Sequence, residues 1–500
     1  MDRFTTFDLL NQTIQYSQSF FCEAPFNPLD VLVSPIYIET INHLYKKKDI
    51  QTLYLEQSII KRIKAYAQIK LRPVKDYLTS KNNVNEQAIE NPILFFPVEP
   101  SHIVQFEPIW RVLQNKAVPY LVITTKKNIY ESQKEKKHPV VWLNPSELIS
   151  NKKQYQDMLT ALHGFLHSGR QNDNGKSAFY DIMNKIVLSR IKSIWNLSER
   201  INQIFEAFSP CCVVPGYDIT PEGRLLSVLS RNRNIPSYCV MHGSITGEPL
   251  DTIHIVDHFC LFGEAAKHDL IAKGVPATQL IVTGAPYLDK FENKQNGIHP
   301  ILKKNLSLTD SKPYFFIATS GPGHSTSHAH FQLILENIFE VAAQYSDAQW
   351  VIKMHRKDRI ENYQEVISRY RNHQIYLVEN DVPGFPKSIF EWLQGTTALL
   401  TGTSTVALEA LSMGIPVITM DFKNEYKMVD FIEIGATIHV TSQGELSKTI
   451  FQLIETPQVF KNINEKAKEY AYQYFYKSDV SASENVVKLI TTNKTPFTTL

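Results

Sequence analysis

TGTSTVALEALSMGIPVITMDF, residues 401–422, joins a hydroxyl-rich turn to an apolar helical pattern and then to Gly-Ile-Pro and a β-branched run. Ala398-Leu399-Leu400 in front of it reads as a strand, so the order is strand, turn, helix, strand. Hydroxyls and glycine at such a turn cap the helix, and the exposed N–H groups beside them suit an anion. Capping alone is the plain reading. A phosphate or nucleotide seat is the sharper one, and the neighbouring strand ends bear on the choice.

Upstream, PYFFIATS (313–320), AQWVIKMH (348–355) and QIYLVEN (374–380) read as buried strands separated by helices at about 328–345 and 388–394. ATIHVTS and a helix ending near 455 close this series. An earlier series runs through ILFFPVEP (93–100), VPYLVITT (118–125), HPVVWLNP (138–145), PCCVVPGYD, IPSYCVMHG, IVDHFCLFG and LIVTGAP. Continuously apolar strands alternating with helices indicate parallel sheets covered on both faces. The expected fold class is α/β, with two Rossmann-like doubly wound domains facing a cleft. Residues 1–88 form a helical extension, 89–290 the first domain, 291–311 a linker, 312–455 the second domain, and 456–500 carboxyl-terminal helices.

Five hundred residues with 43% hydrophobic and 20% charged content suit a globular protein of more than one domain. A net charge of +2 argues against a nucleic-acid partner. Five cysteines without metal-ligand spacing fit reduced thiols, and no apolar run approaches the ~18 residues of a membrane span. A cytoplasmic location is therefore expected. The basic stretch 53–78, with Lys61, Arg62, Lys64, Lys70 and Arg72, is either a solvated helix face or a peripheral contact with the inner face of the membrane.

Ligands of open parallel sheets bind beyond the carboxyl ends of strands. There the second series offers Ser320 and Gly321 after one strand, and Lys353, His355 and Arg356 after the next. The opening turn adds Thr403, Ser404 and Thr405, and Glu409 in the following helix can accept hydrogen bonds from two sugar hydroxyls. Amide donors, cations and hydroxyls together suit a phosphate. In the first series His242 ends a strand, and an imidazole suits proton abstraction near neutrality. Asp218 and Glu222 in GYDITPEGR are the other candidates for the base, though Glu222 also reads as a first helical turn. GHSTSHAH gathers His324, His328 and His330 without a nearby Cys or carboxylate, so no metal site is expected, and no Asp-x-Asp pair occurs.

GTSTVALEALSMGIPVI is similar to the turn, Glu-bearing helix and Gly-x-Pro strand of the GT-B glycosyltransferase superfamily, which includes the nucleotide-sugar 2-epimerases. KMHRK resembles the Lys-x-His-Pro loop of capsule and teichoic-acid transferases, with Arg356 where proline is usual. IPSYCVMHG resembles the strand ending in His-Gly of polymer transferases. The resemblance covers about 93–455. It implies a metal-independent glycosyltransferase of cell-surface polysaccharide biosynthesis, with a UDP- or CMP-linked donor, a glycan or lipid-linked acceptor and no further cofactor. The alternatives are a UDP-N-acetylglucosamine 2-epimerase-like enzyme, a CDP-glycerol-type phosphotransferase and a non-catalytic nucleotide-sugar binding protein.

Overall fold

A computed structural model describes residues 3–46, 89–144, 151–171, 177–243, 249–291, 297–319, 321–322, 326–355, 358–370, 375–380, 382–402, 404, 406–425, 430–456, 461–476 and 478–492. Two compact units emerge. The first comprises Met1–Leu261, Ala266–Tyr287 and Val480–Leu500, and the second Phe262–Ala265 and Leu288–Asp479.

The first unit carries seven parallel strands: β1 (Ile93–Phe96), β2 (Tyr120–Thr124), β3 (Val140–Trp142), β4 (Cys212–Pro215), β5 (Tyr238–Val240), β6 (His258–Leu261) and β7 (Leu280–Val282). They form a sheet ordered β3-β2-β1-β4 and a sheet ordered β5-β6-β7, joined by a parallel bridge from Val213 to Ser237. Successive strand residues face opposite ways. Leu94 and Phe96 therefore enter one core while Ile93 and Phe95 enter the other.

The first of these cores changes the reading of residues 1–88 as an extension. Leu10, Leu29, Val31 and Ile36, from the helices Arg3–Ser17, Pro28–Val31 and Val33–Lys46, are buried in the same cluster as Leu94 and Phe96. Asp30 accepts from Arg224 Nε at 3.0 Å and Nη2 at 2.7 Å, pinning this layer to the helix after β4. The helices Lys152–Gln171 and Ser177–Phe208 complete the face, burying Leu162, Phe165, Trp195 and Ile201. The basic stretch 53–78 lies outside the described residues.

The second core corrects the carboxyl-terminal boundary. Helix Ala482–Thr492 buries Val486, Val487 and Ile490 beside Phe106, Ile109 and Trp110 of the helix Pro100–Asn115. It therefore belongs to the first unit, not to a separate tail.

The second unit holds β8 (Tyr314–Ala318), β9 (Gln349–Lys353), β10 (Ile375–Val378), β11 (Ala398–Thr401), β12 (Val417–Met420) and β13 (Ile438–Val440). Their order is β10-β9-β8-β11-β12-β13, all parallel. That is the doubly wound order, which reverses between β8 and β11. The stretch read as a linker contains a helix, Pro300–Leu306, capped by His299, whose Nδ1 accepts from Ile301 N at 3.3 Å. Leu302 and Leu306, one turn apart, anchor it between exposed lysines.

Candidate functional site

Sheet register gathers one edge of the second unit. Ala318 pairs with Lys353 on one side and Thr401 on the other, and Thr401 pairs with Thr419. At ~4.8 Å per strand, the loops after β9, β8, β11 and β12 are successive neighbours. Ser320, Arg356, Thr403 and Thr405 lie outside the described residues.

The described residues show how the loops are fixed. Thr319 Oγ1 and the Tyr363 hydroxyl are 2.6 Å apart, and Tyr363 donates to Asp358 at 2.5 Å. Gly321 has φ +68°, and a Cβ there would stand 2.9 Å from Asp358 Cγ. The glycine loop after β8 is thus seated on the loop after β9, and a side chain at 321 would be both strained and obstructed. His355 contributes its carbonyl, which accepts from Asp358 N at 2.8 Å. Lys353 Nζ donates to Asn380 Oδ1 at 2.9 Å and stands 5.9 Å from the Trp392 ring centroid. Its ammonium is therefore engaged with the β10 exit and an indole face.

At the opening turn, Ser404 accepts from Ala407 N through its carbonyl at 3.0 Å and from Val406 N through Oγ at 3.4 Å. This is the capping role. Glu409 follows one turn later on Val406–Ser412, and its carboxylate accepts no hydrogen bond among the described residues. Burial raises its pKa from 4.5 to about 7. The histidine-rich stretch takes another form: fully buried His330 lies 3.2 Å from Glu425 and 3.7 Å from Asp421, while Glu425 also accepts from Ser327 N and Oγ. No metal-binding group of three or more His, Cys, Asp or Glu occurs among the described residues.

In the first unit the exits of β1, β4 and β5 converge on a cluster that sequence reasoning found only in part. His242 stands edge-to-face with His102, ring centroids 4.8 Å apart, and with Tyr217 at 4.3 Å. Burial, then the nearby His254, lowers the His242 pKa from 6.5 to about 4. Burial, then His242, lowers that of His102 to about 3. Both imidazoles are neutral at physiological pH. Gly216 makes the approach possible, since a Cβ there would fall 2.0 Å from His102 Nδ1. His102, in the first turn of the helix Pro100–Asn115 that follows β1, was not among the sequence candidates.

Asp218 has a different job from the base foreseen for it. It is fully buried, its Oδ1 lies 2.6 Å from His254 Nδ1, and its Oδ2 accepts from Ile255 N and Val256 N at 2.7 and 3.2 Å. Burial alone pushes its carboxyl up, but the His254 imidazole and these hydrogen bonds hold it below the usual value. It fixes the 254–256 segment, with both carboxylate oxygens engaged there. Glu222 is the first acidic residue of a helix capped by Thr220, which accepts from Gly223 N at 3.2 Å. Asp218→Ala leaves buried polar groups without their acceptor and is expected to cost about 3–5 kcal/mol. A urea denaturation midpoint equal to the parent's would remove this role.

The *Neisseria meningitidis* UDP-GlcNAc 2-epimerase, solved with UDP-GlcNAc bound, superposes with a TM-score of 0.54 at 17% identity, over 80% of this chain and 99% of that one. The chain has the GT-B fold. The *Methanocaldococcus jannaschii* UDP-GlcNAc 2-epimerase gives 0.50 at 16% identity, over 80% and 99%. Residues 252–491 match the family model of UDP-N-acetylglucosamine 2-epimerase. A processive diacylglycerol beta-glucosyltransferase of *Staphylococcus haemolyticus* is 24% identical over 156 residues, 31% of this chain and 36% of that enzyme. No helix among the described residues is long and apolar enough to cross a membrane.

Proposed function

We propose that this GT-B chain acts on a UDP-activated amino sugar, holding the nucleotide at the β9-β8-β11-β12 edge of its second unit and epimerising the sugar as a 2-epimerase does. The observation that carries the reading is the coincidence of that four-loop edge with the family match over 252–491. Amides and hydroxyls of the loops after β8 and β11, with the cations after β9, take the diphosphate, and Glu409 takes the ribose diol. Lys353 joins them by exchanging Asn380 for phosphate. His242, neutral and at a strand exit, is the proton acceptor.

Glycosyl transfer is the second reading, and a specific observation favours it. The family match begins after the β5 exit, so it leaves out His102, Tyr217, Asp218 and His242. There the His102 imidazole and the Tyr217 phenol flank the neutral base His242, while the carboxylate of Asp218 is committed elsewhere. Such a base suits the hydroxyl proton of an acceptor.

Purified protein incubated in D2O with UDP-GlcNAc and no acceptor separates the two. Epimer formation with deuterium at C2 is expected. Slow release of UDP without epimer, or turnover only on adding a glycan or lipid-linked acceptor, replaces epimerisation by transfer. A thermal shift with UDP and no turnover under any of these conditions overturns the enzymatic reading.

A further inference from the structure

His102 carries more information than its place beside His242. Its Nδ1 accepts a hydrogen bond from Val98 N at 3.2 Å, which assigns the ring proton of the neutral form to Nε2. That Nε2 is buried and has no partner among the described residues, and the same holds for His242 Nδ1. A buried N–H donor without an acceptor costs roughly as much as a lost hydrogen bond, so its retention needs a reason. The chain has also placed Gly216 where any side chain would expel the ring.

We propose that His102 and His242 form a hydroxyl cradle: His102 Nε2–H donates to the oxygen of a sugar hydroxyl while a ring nitrogen of His242 accepts that hydroxyl's proton. One fixed donor beside one acceptor complements a group that is both acceptor and donor. An ionised carboxylate offers only acceptors at neutral pH and gains nothing from the second ring. Both rings are neutral, so the cradle has no charge with which to hold an anion. It selects neutral carbohydrate, and Tyr217 beside His242 adds an aromatic wall for the sugar's C–H face. The inference rests on a sugar being the substrate, and because neutral His242 has a single acceptor nitrogen it goes with the transfer reading, in which that nitrogen faces a sugar hydroxyl.

Two substitutions separate the cradle from a packing role. His102→Asn places an oxygen near the Nδ1 position, keeping the acceptor for Val98 N and losing the distal donor. His102→Gln keeps an N–H near the Nε2 position and loses that acceptor. Saturation-transfer NMR with free N-acetylglucosamine on the full chain is expected to show contact in the parent and in H102Q and none in H102N, although H102N is the more heat-stable variant. Acetate, an acceptor-only anion, is expected to leave the parent's histidine 15N resonances at His102 and His242 unmoved. Sugar contact retained in H102N or lost in folded H102Q, its absence from the parent, or acetate shifting both rings each overturns the cradle. Turnover of UDP-GlcNAc is scored separately, so an inactive parent that still shows sugar contact fails only the functional reading.

Discussion

His242→Ala is expected to lower turnover of the nucleotide sugar by about 10²–10⁴-fold, the range for a lost general base. Affinity for UDP stays within a factor of about 2, because the groups assigned to the nucleotide belong to the second unit. The pH profile supplies an independent check. A base must be deprotonated, and kcat/KM reports the pKa of the free enzyme. With His242 held at about 4, its acid limb lies near pH 4, so in the Glu409→Gln background, which lacks the limb near 7 that the nucleotide-binding carboxylate adds, activity is flat from pH 8 down to pH 5. An ordinary exposed histidine would put the limb near 6.5. Unchanged kcat in His242→Ala, or a midpoint near 6.5 in the Glu409→Gln background that the His242 substitution leaves in place, removes His242 from the chemistry.

Strands were legible because burial on both faces leaves a mark that no other element makes: ILFF, YFFIA and ALLT each carry an unbroken apolar run into the sheet. Elements whose role depends on a distant partner were harder to place. Pro300–Leu306 shows two lysines and an asparagine for its two buried leucines, so its text reads as polar. The three amino-terminal helices look like an appendage until β1 is seen to bury Leu94 and Phe96 against them. The site divides along the same line. His242 could be named because it terminates a strand, whereas His102 depends on Gly216, more than a hundred residues away, and Asp218 reads as a base until His254 is found on it. Thr319, Asp358 and Tyr363 hold two loops together through hydroxyl contacts that no local spacing announces. Lys353 shows the converse: its strand-end position was legible, and its engagement with Asn380 and Trp392 was not.

Glu409→Gln is expected to weaken UDP binding and, at the same time, to stabilise the protein without ligand. Burial raises the Glu409 carboxyl from 4.5 to about 7, so between those values the folded state keeps a proton that the unfolded state has lost. Stability from this group is therefore present below about pH 4.5 and lost as pH rises towards 7. Taken whole, that displacement corresponds to about 3 kcal/mol, and water at the partly exposed carboxylate reduces it to on the order of 1–2 kcal/mol. Glutamine cannot ionise and escapes the penalty. Its melting temperature should match the parent's near pH 4.5 and exceed it at pH 8 by roughly 2–4 °C per kcal/mol. In the proposed nucleotide site the desolvated anion would accept two hydrogen bonds from a ribose diol, each worth about 1.5–3 kcal/mol to a charged acceptor. Their replacement by a neutral amide is expected to raise the Kd for UDP by about 10–100-fold. Thermal melts across pH with and without UDP read both effects on one sample. A variant more stable at pH 8 that binds UDP as the parent does leaves the burial argument standing and takes Glu409 out of the nucleotide site. One with unchanged stability and weakened binding does the reverse.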